Sequence, residues 1–398
     1  MNKNDRFKPS YKSDDMETQT FLDRVEDLTD LELAILLSLI AQHHCLIEAQ
    51  DDYLDDVASE LALVWAPPQT QTKPVLTPLQ IVRDIFKLSY IILDREDLQS
   101  VDRFGDAILD DNCEFGDDLS EHDNDADDAS VLHSTVTFRT APSSHTEPSK
   151  LDSRRVVNVV IAKEFNYAHE DVQIQVLELI RKRRIYSRTT VHLAPKVFLF
   201  LPIVTTSSKH VRLNRHLNDR IFMSHSHSPD DGFPNLEELA YADKSDDDDS
   251  ADSYSPSPNM RRQTIIASRR IDKKLIEQLR RQGQATTITP EIRRYLQDVV
   301  AFLRMERGVD GGVTPYATTL FLTLAKYLAP FQGIDYVTPS LVALAANKIY
   351  PHRIIIATPD RERSAQYGTD LASAQDLVQD LDPHKVIQNV LETVECPI

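Results

Sequence analysis

The sequence predicts an α/β core followed by a C-terminal helical bundle, and three features carry that prediction. Val156 to Ala162 is dominated by valine and isoleucine and bounded by charge, the β-branched pattern of a buried parallel strand. A helix follows at once, with Val172, Val176, Leu179 and Ile180 at helical spacing and Asp171 in the first turn, where the helix dipole favours an anion. Further on, Thr289-Pro290, Thr314-Pro315, Thr338-Pro339 and Thr358-Pro359 each set an N-cap hydroxyl before a proline suited to the first helical position. A strand that turns through Lys163, Glu164, Phe165 and Asn166 into a helix has the layout of a nucleotide-site strand.

Length and composition bound the possibilities. With 398 residues there is room for two or three domains. Lys plus Arg is 44 against 63 for Asp plus Glu, a formal charge of -19. That balance argues against binding nucleic acid through phosphate contacts, and for a soluble protein whose acid is concentrated in segments. The three cysteines, Cys45, Cys113 and Cys396, lie far apart without C-x-x-C spacing, which suits a reducing compartment and excludes a cysteine zinc site. The most apolar run, Leu31 to Ala41, contains Glu32 and is too short to span a bilayer. Met1 to Thr20 is polar throughout, so no signal peptide is expected, and the location implied is cytoplasmic or nuclear.

In chain order, residues 1–20 read as a disordered tail. Thr29 with Glu32 forms a capping box for a helix that carries Leu33, Leu36, Leu37 and Ile40 on one face. A short strand, His44 to Glu48, comes next, then a proline-rich connector from Trp65 to Pro78 and a helix from Pro78 to Leu88. Ser89 to Leu93 is expected to be a strand. Acids, serines and prolines dominate Asp110 to Lys150, the composition of a disordered insertion. After the central helix, the basic run Arg181 to Arg188 closes a helix C-terminus and enters a hairpin, and Lys196 to Val204 is the next buried strand. His225 and His227, with no third ligand nearby, read as solvated rather than metal-bound. Pro229 to Arg262 holds four consecutive aspartates and reads as a linker, with Ser255 and Ser257 inside it and Thr264 just after it as candidate phosphorylation sites. Helices are expected from Pro290, Pro315 and Pro339, with Gly311 and Gly312 turning the chain before the second, and from Pro383 behind the Asp382 cap.

The run IAKEFNYAHEDVQIQVLELI resembles the second acidic motif of AAA+ ATPases of the MoxR and magnesium-chelatase I-subunit branch. The family form is an apolar strand, then D-E-I-N-R-A, then a helix reading V-Q-x-x-L-L-E. Glu164, Asn166, Ala168, Val172, Gln173, Leu177 and Glu178 match, while Lys163 occupies the position of the magnesium-associated aspartate. LNRHLNDRIFMSH is similar to the family segment whose arginine reaches a neighbour's γ-phosphate, which places Asp219 and Arg220 on that pair. Thr205 and Thr206 are the nearest candidates for the sensor that ends the Lys196–Val204 strand. ITPEIRRYLQDVVAFLR, GGVTPYATTLFLTLAKYLA and GIDYVTPSLVALAANKIYPHRI resemble the family's helical lid, with Tyr316 in place of its sensor arginine. The resemblance covers roughly half of the chain in four blocks, and it implies a degenerate AAA+ P-loop-type three-layer core with a C-terminal helical lid and long acidic disordered insertions. The division it implies is a core over 21–232 interrupted at 110–150, an acidic Ser/Pro linker over 233–270 and a lid over 271–398.

A P-loop needs glycines so that backbone amides can close around phosphates, a lysine for the β and γ phosphates, and Ser or Thr for magnesium. Gln50 to Val57 supplies none of these, and Asp51, Asp52, Asp55 and Asp56 would repel a triphosphate. Hydrolysis in the class also uses a base and arginines for transition-state charge, and only Glu164 and Arg220 keep such roles. The first reading is thus a catalytically inactive AAA+ homologue that needs no cofactor, an interaction or regulatory subunit whose Arg220 completes a site on an active neighbour in a homo- or hetero-oligomeric ring. The second is a magnesium-chelatase-like ATPase subunit using ATP and magnesium; proteins of similar pattern, mostly fungal, are grouped under that name on resemblance alone. The third is a scaffold presenting phosphorylatable acidic loops. Neither nucleic acid nor membrane is an expected partner.

Overall fold

A computed structural model of the chain describes residues 28–63, 89–110, 154–186, 190–206, 213–234, 236–237, 273–363, 367–368 and 370–397. The expected tail, the connector with its following helix, nearly all of the acidic insertion, most of the linker and the three phosphorylation candidates lie outside these residues.

The core alternates helix and strand: α1 (Asp30–Ala41), β1 (Cys45–Ala49), α2 (Leu54–Leu63), β2 (Tyr90–Leu93), α3 (Val101–Ala107), β3 (Val159–Ala162), α4 (Glu170–Lys182), β4 (Leu199–Thr205), α5 (Arg215–Arg220) and β5 (Met223–Ser226). The five strands form one parallel sheet in the order β2-β3-β4-β1-β5. Alternation along the strands separates two apolar layers. Val159, Ile161, Leu199, Leu201 and Ile203 pack with α1 and the C-terminal helices, whereas Val160, Ala162 and Phe200 pack with Phe104 of α3 and Val172, Val176 and Leu179 of α4. A sheet covered on both faces is what its unbroken valine and isoleucine runs require.

Local chemistry fixes the element ends. The capping box of α1 is present in both directions, with the Thr29 amide 2.9 Å from Glu32 Oε2 and the Glu32 amide 3.2 Å from Thr29 Oγ1. Glu170 and Asp171 lie in the first turn of α4, Arg181 and Lys182 in its last, and Arg183 ends it in the left-handed region at φ 54°. Beyond Arg183 the expected hairpin pairs Arg184–Tyr186 with Val191–Leu193.

The C-terminal part contains α6 (Lys273–Ala285), α7 (Pro290–Met305), α8 (Pro315–Leu328), α9 (Pro339–Ile349), α10 (Leu371–Val378) and α11 (Pro383–Thr393). Thr289, Thr314, Thr338 and Asp382 all act as the expected caps. Thr358-Pro359 does not open a helix. It forms a turn in which the Arg361 amide donates to the Thr358 carbonyl at 2.9 Å, and the Thr358 hydroxyl is engaged by the Asp360 carboxylate. Gly312 stands at φ 103° against the backbone of Arg353, where a Cβ would overlap the Arg353 carbonyl oxygen.

This bundle is fastened to the core by two arginines. Arg280 of α6 donates from Nε to Ile40 O at 2.8 Å and from Nη2 to Leu39 O at 3.0 Å, capping the last turn of α1, where Leu39 O also accepts from the Gln42 amide. Arg353 is buried beyond α9 and donates to the carbonyls of Asp219 (3.3 Å) and Phe222 (3.2 Å), as well as to those of Ile221 and Ile349.

Candidate functional site

In an open parallel sheet, ligands bind outside the carboxyl ends of the strands where the strand order reverses. That point is β1, flanked by β4 on one side and β5 on the other while the next strand in sequence lies at the far edge. Three chain segments converge there: the turn after β1, the turn after β2 and the turn after β3.

After Ala49 the chain passes without a loop into a single 3-10 turn, Asp51–Tyr53, and then into α2. Asp51 and Asp52 therefore sit at the start of one helical turn, and Asp55 and Asp56 at the start of the next, where amide dipoles favour negative charge. Asp51 accepts a hydrogen bond from Thr205 Oγ1 at the end of β4, and the Thr205 amide donates to Asn166 Oδ1 at 3.4 Å. Thr206 instead turns its hydroxyl back to Ala49 O at 3.3 Å, so of the two sensor candidates Thr205 addresses this turn.

Lys163 projects from the end of β3 between the other two turns. Its Nζ lies 2.7 Å from Asp55 Oδ1 and also pairs with Asp94, the residue that follows β2. Its side chain is 21 % exposed. Burial lowers the affinity of Lys163 for its proton, but hydrogen bonds to Asp55 and Asp94 and their charges outweigh this and raise its pKa. The pairing could not be read from sequence because the partners lie 108 residues apart; Asp55 was legible only as one acid in an acidic turn.

Glu164, the first sequence candidate, adopts the left-handed region at φ 48°, uncommon for a residue with a Cβ. Its carboxylate is 3.7 Å from Arg95 Nη1, and the Arg95 guanidinium in turn lies 4.7 Å over the Tyr167 ring. Arg220, the second candidate, ends α5 at the junction with the helical bundle. Its guanidinium sits 4.3 Å over the ring of Tyr316, at the start of α8. Asp219 turns to the bundle as well, accepting from Thr314 Oγ1 at 2.6 Å and lying 3.9 Å from Arg353 Nε. Glu164 and Arg220 thus have different partners: Arg95 for one, the ring of Tyr316 for the other.

His225 and His227 depart from the expectation of solvated side chains, being only 3 % and 6 % exposed. β5 pairs in register with β1, His225 opposite Ile47, which carries these imidazoles into the apolar layer beneath the bundle. Burial drives the pKa of His225 down to about 4 and lowers that of His227. Among the described residues no cluster of three or more His, Cys, Asp or Glu is placed to hold a metal ion.

Magnesium with a triphosphate asks for an acidic metal ligand at the end of β3 and a ring of N–H donors after β1. This crevice offers the converse, an ammonium after β3 and carboxylates after β1. The donor set does not fit that pair of ligands, and no chemical step is derived through them.

Comparison with known proteins places the chain in a structural context. The AAA lid domain family matches residues 301–381. A protein of Eremothecium gossypii named "Maintenance of telomere capping protein 2" is 33 % identical over 101 residues, which make up 24 % of this chain and 36 % of that one. The Kluyveromyces lactis protein of the same name is 28 % identical over 96 residues, 23 % of this chain and 35 % of that one. The chain thus spans about a third of the length of the curated relatives it matches. The crystal structure of a candidate ATPase from Cytophaga hutchinsonii superposes with a TM-score of 0.55 at 13 % identity, covering 97 % of this chain and 99 % of that one. The fold is therefore similar to those of AAA+ ATPases, a mixed α/β core on a parallel sheet with a helical C-terminal region. No helix among the described residues is long and apolar enough to cross a membrane.

Proposed function

We propose that this protein is a nucleotide-independent AAA+-type module that works through protein contacts, as an interaction or regulatory subunit. The observation that carries this reading is the position of Lys163 at the carboxyl end of β3, held between Asp94 after β2 and Asp55 in the helix after β1. In an active site of this architecture, phosphate supplies the negative charge beside the helix start and a metal supplies the positive charge beside the strand end. Here carboxylates stand beside the helix start and an ammonium beside the strand end, so the chain's own charges occupy both positions and leave carboxylates in excess. A triphosphate entering it would have to displace Lys163 and then face Asp51, Asp52, Asp55 and Asp56.

The helical lid and the two arginine fastenings leave the module a fixed shape with which to meet other subunits, and AAA+-type partners in a ring are the assembly this shape suits. The curated relatives carry a name concerned with the maintenance of telomere capping. We extend that role to this chain, acting in the nucleus as a non-hydrolysing subunit.

Calorimetric titration with ATP and magnesium at high protein concentration tests the reading. No heat up to millimolar ATP is the expected result. Saturable binding at micromolar ATP would overturn it and return the chain to the ATP-hydrolysing class.

A further inference from the structure

The hairpin that follows α4 has two unlike faces. Arg184 pairs with Leu193, Ile185 with His192 and Tyr186 with Val191. Alternation sends Ile185 and His192 inward, at 2 % and 3 % exposure, and leaves Arg184, Tyr186, Val191 and Leu193 together on the outside. Leu193 is 70 % exposed, Val191 52 % and Tyr186 46 %. Two cross-strand pairs that put apolar side chains into water beside cations form a surface of the kind that marks an interaction site. Arg181 of the last turn of α4 adjoins it and adds a further cation, while the neighbouring Lys182 ammonium is paired with Glu178 at 2.8 Å.

The chain itself contains a segment of matching chemistry with both ends anchored at the hairpin, on the side of the inward-facing His192. Residues 111–153, which lie outside the described residues, leave the core at Asp110 and return at Arg154. Asp110 and Leu109 pair antiparallel with Arg155 and Val156, and the Arg154 carbonyl oxygen is 2.9 Å from Nδ1 of His192 in the hairpin. Between 111 and 130 the sequence has nine acidic residues and no Lys or Arg, with Phe115 and Leu119 among them; from 131 to 150 it has one acid, Glu147, and two bases, Arg139 and Lys150. Each residue of extended chain spans about 3.3 Å, so the acidic half reaches the hairpin from its anchor with length to spare.

We propose that the outward face of the hairpin, with Arg184, Tyr186, Val191 and Leu193 at its centre and Arg181 at its margin, is the docking surface for the chain's own acidic segment 111–130. Carboxylates meet the arginines, and Phe115 and Leu119 cover the apolar pairs. The tether keeps the effective concentration of the segment high, so weak contacts suffice to occupy the face. An external acidic-apolar peptide of a partner would compete for the same surface.

The test is a cross-linking race in the full-length chain with Cys113→Ser and Cys396→Ser, Cys45 being buried and left in place. Leu193→Cys is combined with either Leu119→Cys or Ser143→Cys, and a short bismaleimide is added. Residue 119 lies nine positions from the Asp110 anchor and 143 lies eleven from the Arg154 anchor, so random collision treats the two pairs alike. The expected result is an intramolecular product that forms at least about tenfold faster for the 119 pair, by the effective concentration that docking adds. The excess should vanish with Arg181→Glu and Arg184→Glu, and independently in about 0.5 M NaCl, where the Debye length is about 4 Å. Equal rates for the two pairs, a rate indifferent to both charge reversal and salt, or a product joining two chains would each overturn the proposal.

Discussion

Lys163 and Asp55, 108 residues apart in the chain, meet at 2.7 Å and close the crevice at the carboxyl end of the sheet. Asp94 completes the contact from a third segment, so one ammonium ties together the ends of β2 and β3 and the start of α2. Both carboxylates are largely exposed, which limits what the cluster adds to stability. Lys163→Met should cost about 1 kcal/mol by the measured range for exposed pairs, seen as a fall of about 2–4 °C in melting temperature. The pH dependence has a definite sign. Because the folded pKa of Lys163 is raised, its contribution is complete below the unfolded lysine value near about 10.4 and is lost as pH rises through the folded value. Thermal melts from pH 7 to 11 on the wild type and the Met variant should converge at the alkaline end; a gap that stays constant would refute the coupling.

Buried imidazoles give the opposite sign at the acid end. His44 accepts the Phe200 amide on Nδ1 at 3.0 Å, which only the neutral ring can do, and burial takes its pKa to about 3. His225 is held at about 4 by burial, with Lys348 and His227 adding to the effect. A folded value below the unfolded 6.5 means stability is full above pH 6.5 and falls as pH drops toward 4, at up to about 1.4 kcal/mol per pH unit for each such group. Urea unfolding at pH 7, 6, 5 and 4.5 should show this decline. His225→Leu, which removes a buried imidazole that has no hydrogen-bond partner, should flatten it while leaving the pH 7 value nearly unchanged. An unaltered slope in that variant would exclude His225 as a source.

Much of the fold was legible because its signals are local. Capping pairs such as Thr29 with Glu32, the Thr-Pro helix starts, and the valine and isoleucine runs of β3 and β4 act within a few residues of where they stand. α6 carries Leu275, Ile276 and Leu279 at helical spacing and packs them on α1 and α8, but these few apolar residues stand among many charged and polar neighbours and the sequence reading passed over them. α10, with Ala374 as its single buried residue, gave even less to read. The site divides in the same way. The lack of glycine after β1 could be seen at once, whereas the destination of Lys163 depends on partners brought in by the sheet order. Thr358-Pro359 misled because a hydroxyl before proline is permissive: the Asp360 side chain takes the hydroxyl and the chain turns.

Arg353 is the main test of the joint between core and lid. Four backbone carbonyls from both sides of the boundary accept from it, and burial pulls its pKa down to about 10 although Asp219 opposes the shift. Arg353→Ala would leave those acceptors buried without donors, a loss of about 3–5 kcal/mol by analogy with breaking buried charged contacts. Arg353→Lys should recover little, since a single ammonium cannot reproduce the spread of the guanidinium. Limited proteolysis separates a local from a global effect: early cleavage near residue 272 with both parts remaining compact would show that the joint alone had opened.

Arg220 and Tyr316 define a narrower joint whose substitution discriminates between roles. If the guanidinium serves only the contact with the ring, Arg220→Ala should lower stability by about 0.5–1 kcal/mol, the size of a partly exposed cation–π pair. Tyr316→Phe preserves a ring face and should be nearly silent. If Arg220 also reaches a neighbouring subunit's phosphate, the Ala variant should depress the ATPase rate of an active ring partner well beyond what its stability loss explains. Tyr316→Phe should leave that rate unchanged. Measured on the same mixed assemblies, equal partner rates with wild-type and Ala subunits would confine Arg220 to the core–lid contact. A loss of tenfold or more, with folding intact, would make it a contributor to the neighbour's site, because a transition-state arginine supplies far more than a surface stack does.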